Sequence, residues 1–174
     1  MIRIKFIVFI LCMTFFCLSS CDSSQDQIQN PNTQTKNNKS TQSKKELSTD
    51  ICSQFPKDLV ASAIGKPVIK TESQSGGGSY TCQYFIDETH FASITLSNLS
   101  VENQKKGAKM MKRKLEEDSR IQMEHFLTVQ EDGNINAIYL VLGSHQFLRI
   151  DRNSGKAIDN QTLIHIAIKV AENI

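Results

Sequence analysis

Hydrophobicity divides the 174-residue chain into three stretches. Phe6 to Leu18 is almost unbroken apolar sequence, about thirteen residues and so shorter than the roughly 20 that span a bilayer comfortably. Residues 22–50 are polar, with Ile28 and Leu47 as the only large apolar side chains. From residue 51 onward, apolar positions recur every three to four residues in some segments and every second residue in others, as in helices and strands respectively.

Within residues 51–174 the pattern predicts a helix from Phe55-Pro56, with Pro near the first turn where its missing N–H does no harm. Leu59, Val60, Ala63 and Ile64 form its stripe, and Gly65 and Pro67 end it. Three strands are expected next: Val68 to Glu72, Tyr80 to Ile86 and Phe91 to Leu96. Ser75-Gly76-Gly77-Gly78-Ser79 and Asp87-Glu88-Thr89 turn the chain between them. A long helix follows from a Ser100 cap to about Asp118, with Val101, Ala108, Met111 and Leu115 on its apolar stripe. Three further strands are expected over Met123 to Gln130, Asn134 to Leu142 and Gln146 to Asp151. Asp132-Gly133 between the first two suits a type I′ hairpin turn. A final element starts at an Asp159 cap and runs to the end: Leu163, Ile164, Ala167, Val170, Ala171 and Ile174 fit a helix, Ile164, Ile166, Ile168 and Val170 also fit a strand, and length and the cap favour the helix. The order helix-βββ-helix-βββ-helix implies an α+β domain: a curved antiparallel sheet of about six strands with helices packed on one face.

The first 21 residues carry an address. Arg3 and Lys5 precede the apolar run, and Ser19, Ser20 and Cys21 follow it. A positive start, an apolar middle and small residues at the cut make an export signal. The box Leu18-Ser19-Ser20-Cys21 resembles the bacterial lipobox. That resemblance implies removal of residues 1–20 and attachment of a diacylglycerol to the Cys21 thiol. Residues 22–50 then read as a polar tether, too poor in apolar surface to fold. As a coil it would span roughly 30 Å. The expected location is the outer face of a bacterial cytoplasmic membrane, or the outer membrane in a cell that has two. In some two-membrane bacteria an Asp directly after the lipidated Cys, here Asp22, resembles a retention signal for the inner membrane.

Charge and cysteine usage change once the leader is set aside. Of 20 Lys and Arg, only Arg3 and Lys5 precede Cys21, which leaves 18 against 18 Asp and Glu. A neutral exported chain is not a general nucleic-acid binder. Of five cysteines, Cys12 and Cys17 leave with the signal and Cys21 takes lipid. Cys52 and Cys82 remain, and an oxidising compartment makes a disulfide their default state.

Cys52, the apolar helix ending Gly65-Lys66-Pro67-Val68, and Cys82-Gln83-Tyr84 together resemble a group of small bacterial envelope lipoproteins of unknown function. The resemblance covers residues 52 to 84. It implies an α+β domain with the Cys52–Cys82 bridge and brings no catalytic residue.

No Ser-hydrolase, zinc-protease, P-loop or dinucleotide motif is present in the sequence. The four histidines are scattered, although His125 and His145 could meet across strands; no metal site and no cofactor are expected. Lys105, Lys106, Lys109, Lys112, Arg113 and Lys114 concentrate positive charge, with Lys105, Lys109, Lys112 and Arg113 on one helical face. That face is a possible contact for anionic lipid or an envelope polyanion. A solvated face, partly neutralised by Glu116, Glu117 and Asp118 one turn on, is the ordinary meaning of such a run and the one expected here. The function expected from the sequence is a membrane-anchored, non-enzymatic binding domain with an envelope protein or ligand as partner. The alternatives are a carrier of an apolar ligand in the sheet concavity, or an enzyme or enzyme inhibitor with a scattered site.

Overall fold

The computed structural model describes residues 47–174. The expected export signal, Cys21 and most of the polar segment lie outside the described residues. Four helices and seven strands follow in chain order: α1 (Ile51–Gln54), α2 (Lys57–Ile64), β1 (Lys70–Gly76), β2 (Ser79–Phe85), β3 (Phe91–Ser97), α3 (Val101–Met110), β4 (Lys114–Glu116), β5 (His125–Val129), β6 (Ile135–Gly143), β7 (Gln146–Arg152) and α4 (Asn160–Ala171). The strands form one antiparallel open sheet in the order β1-β2-β3-β7-β6-β5-β4. The two meanders meet through β3 and β7, where Ile94 pairs Ile150 and Leu96 pairs Leu148.

The helix expected from Phe55-Pro56 to Gly65 is α2, and a further short helix that was not expected, α1, precedes it. Phe55 precedes Pro56, whose ring disfavours the α region for the residue before it. Phe55 accordingly sits at φ −122°, ψ 83° and ends α1. Pro56 is extended and opens α2, which closes at Gly65 with φ 71°. Asp50 caps α1, accepting from Ser53 N–H at 3.1 Å.

Strand β1 is longer and later than expected, because its hairpin to β2 is tight. Gly76 pairs Ser79 directly, leaving a two-residue turn. Both turn residues, Gly77 and Gly78, have positive φ, 57° and 78°, the requirement of the I′ turn. The Asp132-Gly133 connection is of another kind. Only Gly133 has positive φ, its N–H returns to Gln130 O at 3.0 Å, and the pairing shifts register at Thr128/Val129.

The helix expected from Ser100 to Asp118 stops at Met110, and the sheet has seven strands where six were expected. Leu115 supplies the reason. Instead of extending the stripe of Val101 and Ala108, it lies in β4 opposite Thr128 of β5 and packs against Tyr139 and its neighbours. Strand β4 thereby satisfies backbone groups of β5 that would otherwise be a bare edge. The opposite edge, β1, is exposed along its whole length and carries Lys70 and Glu72.

Helices cover both faces of the sheet, not one. Residues of α1, α2 and α4 join Cys82, Tyr84, Ile94, Ile138, Leu140 and Ile150 in the main core. Leu163, Ile164, Ala167 and Val170 of α4 are buried there as the helical stripe implied, joined by Ile166, and Asp159 caps the helix through Thr162 N–H at 2.7 Å. The opposite face holds a smaller cluster of Phe126, Ala137, Tyr139 and Phe147, joined by Val101 of α3. Phe126 and Tyr139 stack at 4.4 Å, and Phe147 meets Tyr139 edge-on at 5.4 Å. Alternation along β6 feeds both faces: Ile138, Leu140 and Leu142 point to the main core, Ala137, Tyr139 and Val141 to the smaller one.

Candidate functional site

Cys52 in α1 and Cys82 in β2 form a disulfide, with S–S 2.00 Å and Cα–Cα 5.1 Å. Two residues along the same face of β2, Tyr84 is fully buried and donates its hydroxyl to Phe55 O at 2.6 Å. That carbonyl lies at the break between α1 and α2, where Leu59 N–H bonds to Pro56 O instead. Burial and then the nearby Asp50 charge push the Tyr84 phenol far above its ordinary value.

An open cleft of 550 Å³ lies where the β5–β6 turn faces the β7–α4 loop. Gln130, Asn134, Asn136, Arg152, Asn153 and Lys156 line it. Its centre is Arg152 at the end of β7. Its Nη2 donates to Ile135 O at 3.2 Å and to Asn160 Oδ1 at 2.8 Å. Asn160 in turn accepts from Ile135 N–H at 3.0 Å and donates to Gly133 O at 3.0 Å, locking the start of α4 to the hairpin. Arg152 Nη1 is buried with no hydrogen-bond partner among the described residues. Burial lowers the Arg152 guanidinium from its ordinary value, against the pull of the Asp159 carboxylate. One half-buried cation, one exposed Lys156 and several side-chain amides make a surface for ligand oxygens, charged or neutral.

A second polar array lies on the outer face of β2, β3 and β7. Thr81 and Thr95 hydroxyls meet at 2.9 Å and those of Ser79 and Ser97 at 3.1 Å. Ser93 donates to Asp151, which also pairs with Arg149 at 2.8 Å. Arg149 Nε is buried without a partner among the described residues.

The four basic residues singled out from sequence do not share a helical face. Lys105 and Lys109 are in α3, whereas Lys112 at φ 56° and Arg113 lie beyond its last turn. Lys105 Nζ sits 5.1 Å above the Phe126 ring. The Glu116, Glu117 and Asp118 expected one helical turn on are in β4 and after it. Asp118 is engaged by Arg120, whose side-chain hydrogen bond is the main cause holding that carboxyl down at about 2.

His125 and His145 do not form a pair. His125 uses both ring nitrogens locally, with Nδ1 2.7 Å from Met123 O and Nε2 accepting from Asp118 N–H at 2.9 Å. His145 Nδ1 lies 2.9 Å from Ser144 Oγ. Among the described residues, no group of three or more His, Cys, Asp or Glu is placed to hold a metal ion. No helix among them is long and apolar enough to cross a membrane.

Sequence reasoning did not single out Arg152 or Asn160. The available signal was a cation closing an apolar strand, opposite a hairpin rich in Asn. Comparison with protein-family models, with curated proteins and with solved structures finds no match.

Proposed function

We propose that the chain is an exported, lipid-anchored envelope protein whose domain is a non-enzymatic binding module. The observation that carries the export half is the Cys52–Cys82 bridge, because such bonds persist past the membrane and are rare in a reducing cytosol. It agrees with the Leu18-Ser19-Ser20-Cys21 box, which supplies the anchor. Trapping thiols in intact cells with a mass-shifting maleimide tests it. Neither Cys52 nor Cys82 reacts until a reductant is added; two thiols trapped in protein from the native envelope contradict the reading.

The binding half is supported by the cleft around Arg152, with its half-buried cation and amide lining. Small polar ligands and peptide termini present oxygens that such a lining can address. The inward face of the sheet, where an apolar carrier would need room, is filled by Phe55, Ile138, Leu140, Leu163 and Ile166, all at 0% exposure. A photo-crosslinker at Lys156, compared with one at exposed Glu88, reports on the cleft in cells. Adducts specific to Lys156 support it; adducts equal at both positions, or none, count against it.

A further inference from the structure

Helix α3 ends in a stop that puts two methionines in solvent amid a basic patch. Arg113 N–H donates to Ala108 O at 3.0 Å and Lys112 N–H to Lys109 O at 3.0 Å. These are the two bonds of a Schellman motif, whose left-handed position usually holds Gly. Here it holds Lys112 at φ 56°, a region that disfavours any residue with a Cβ. The neighbouring Met110 is 85% exposed and Met111 61%. Lys106, Lys109, Lys112 and Lys114 surround them and are all exposed. None of these lysines forms an ion pair among the described residues.

We propose that this stop is a membrane-docking tip. Met110 and Met111 enter the boundary between headgroups and acyl chains, and the four lysines contact anionic phospholipid headgroups. Charge complementarity selects the partner: a dense positive cluster, none of whose lysines is held in an ion pair among the described residues, suits a negative surface. The methionines select a lipid surface over a soluble polyanion, because a hydrated polymer offers no apolar layer to receive them. Lysines can lay their stems along that layer and keep the ammonium in water. The inference deepens the reading of the chain as membrane-anchored, since lipid on Cys21 would hold the start of the domain a root-mean-square distance of roughly 30 Å from the headgroups and so keep the tip near a membrane surface.

The test uses the chain from residue 21 onward with Cys21→Ser, so that neither lipid nor leader can mask the effect. Both hydrophobic clusters draw on residues from Leu47 onward, and thermal melting verifies that each variant is folded. Vesicles of phosphatidylcholine, alone or mixed with phosphatidylglycerol, are titrated at 0.1 M and 1 M salt, where the Debye length falls from about 10 Å to about 3 Å. The expected result is binding to the anionic vesicles at low salt that fades at high salt. The Lys106→Gln, Lys109→Gln, Lys112→Gln variant should bind about 100-fold more weakly, at about fivefold per lysine. Met110→Ser with Met111→Ser should weaken binding by about tenfold or more. Lys112→Gly separates fold from docking: it relieves the left-handed strain and raises the Tm by about 4 °C, yet weakens binding about fivefold.

Absence of binding to anionic vesicles at low salt overturns the proposal, as does binding indifferent to loss of the methionines. Equal affinity for soluble polyglutamate also overturns it and assigns the patch to a polyanion. Because the tested chain bears no lipid, its failure leaves the Cys21 anchor standing, and failure of the anchor leaves docking standing.

Discussion

Tyr84→Phe isolates one hydrogen bond on which the helical layer depends. The Tyr84 hydroxyl is the donor that satisfies Phe55 O, and both residues are 0% exposed. Pro56 has no N–H and Leu59 N–H is used by Pro56 O, so the variant leaves the Phe55 carbonyl buried and unmet. An unsatisfied buried acceptor costs about 1–3 kcal/mol. For a domain of roughly 125 residues, whose unfolding entropy is about 0.26 kcal/mol/K, a loss of about 2 kcal/mol lowers the Tm by about 8 °C. The same site gives a pH signature. Burial raises the Tyr84 phenol far above an unfolded value of about 10, so its contribution is complete below pH ~10 and is lost as pH rises from there. Tyr139 is also raised, mainly by burial, so the wild type loses stability with two phenols and Tyr84→Phe with one. The difference in slope is about 1.4 kcal/mol per pH unit. Denaturant melts followed by circular dichroism from pH 8 to beyond pH 11, a range set by the phenol value of about 10, measure both effects. An unchanged Tm at neutral pH together with an unchanged alkaline slope would refute the role assigned to this bond.

Three other perturbations test the fold's fastenings. Cys52→Ala with Cys82→Ala opens a crosslink of sequence separation 30, worth about 3.6 kcal/mol in the chain-entropy model, and the denaturant midpoint should fall accordingly; reduced wild type should fall nearly as far. Asp159→Ala removes the α4 cap and should cost about 1 kcal/mol. The Asp159 carboxyl is held below its ordinary value chiefly by Thr162 N–H. Its contribution is therefore present above pH ~3.9 and lost as pH falls toward the folded value, so wild type and variant converge in acid melts. Arg152→Met frees Ile135 O and Asn160 from their shared cation and should destabilise by about 1.5–3 kcal/mol, visible as a lower urea midpoint at constant m-value.

Much of the sheet was legible because it follows period-two burial. Tyr80, Cys82 and Tyr84, and Ala92, Ile94 and Leu96, face the main core as their alternation implies. The Ser100 and Asp159 caps hold in the structure. The α3 segment was misread because Leu115 fits the helical stripe as well as it fits a strand. What decides between them is the edge of β5, a long-range partner that local sequence does not reveal. The helix starting at Phe55-Pro56 was legible, whereas α1, only four residues from Ile51 to Gln54, was missed because one turn is too short to show a helical period. The placement of α3 on the opposite face was equally hidden. The smaller cluster it caps is built from the outward positions of β5, β6 and β7, and the apolar character of those strands on both faces was the available clue. Of the site residues, the cysteine pair could be read from counting. The Arg152 cleft could not, since it depends on the β7–α4 loop meeting the β5–β6 hairpin across the sheet end.

The central claim is that lipid on Cys21 anchors this domain in the envelope. Growing cells with an alkyne fatty acid and attaching a fluorophore to the purified chain reads that bond directly. The account predicts label on the wild type and none on Cys21→Ser, with the Cys52–Cys82 bridge intact in both. Label persisting on Cys21→Ser, or an unlabelled wild type that stays in the cytosol, would contradict it.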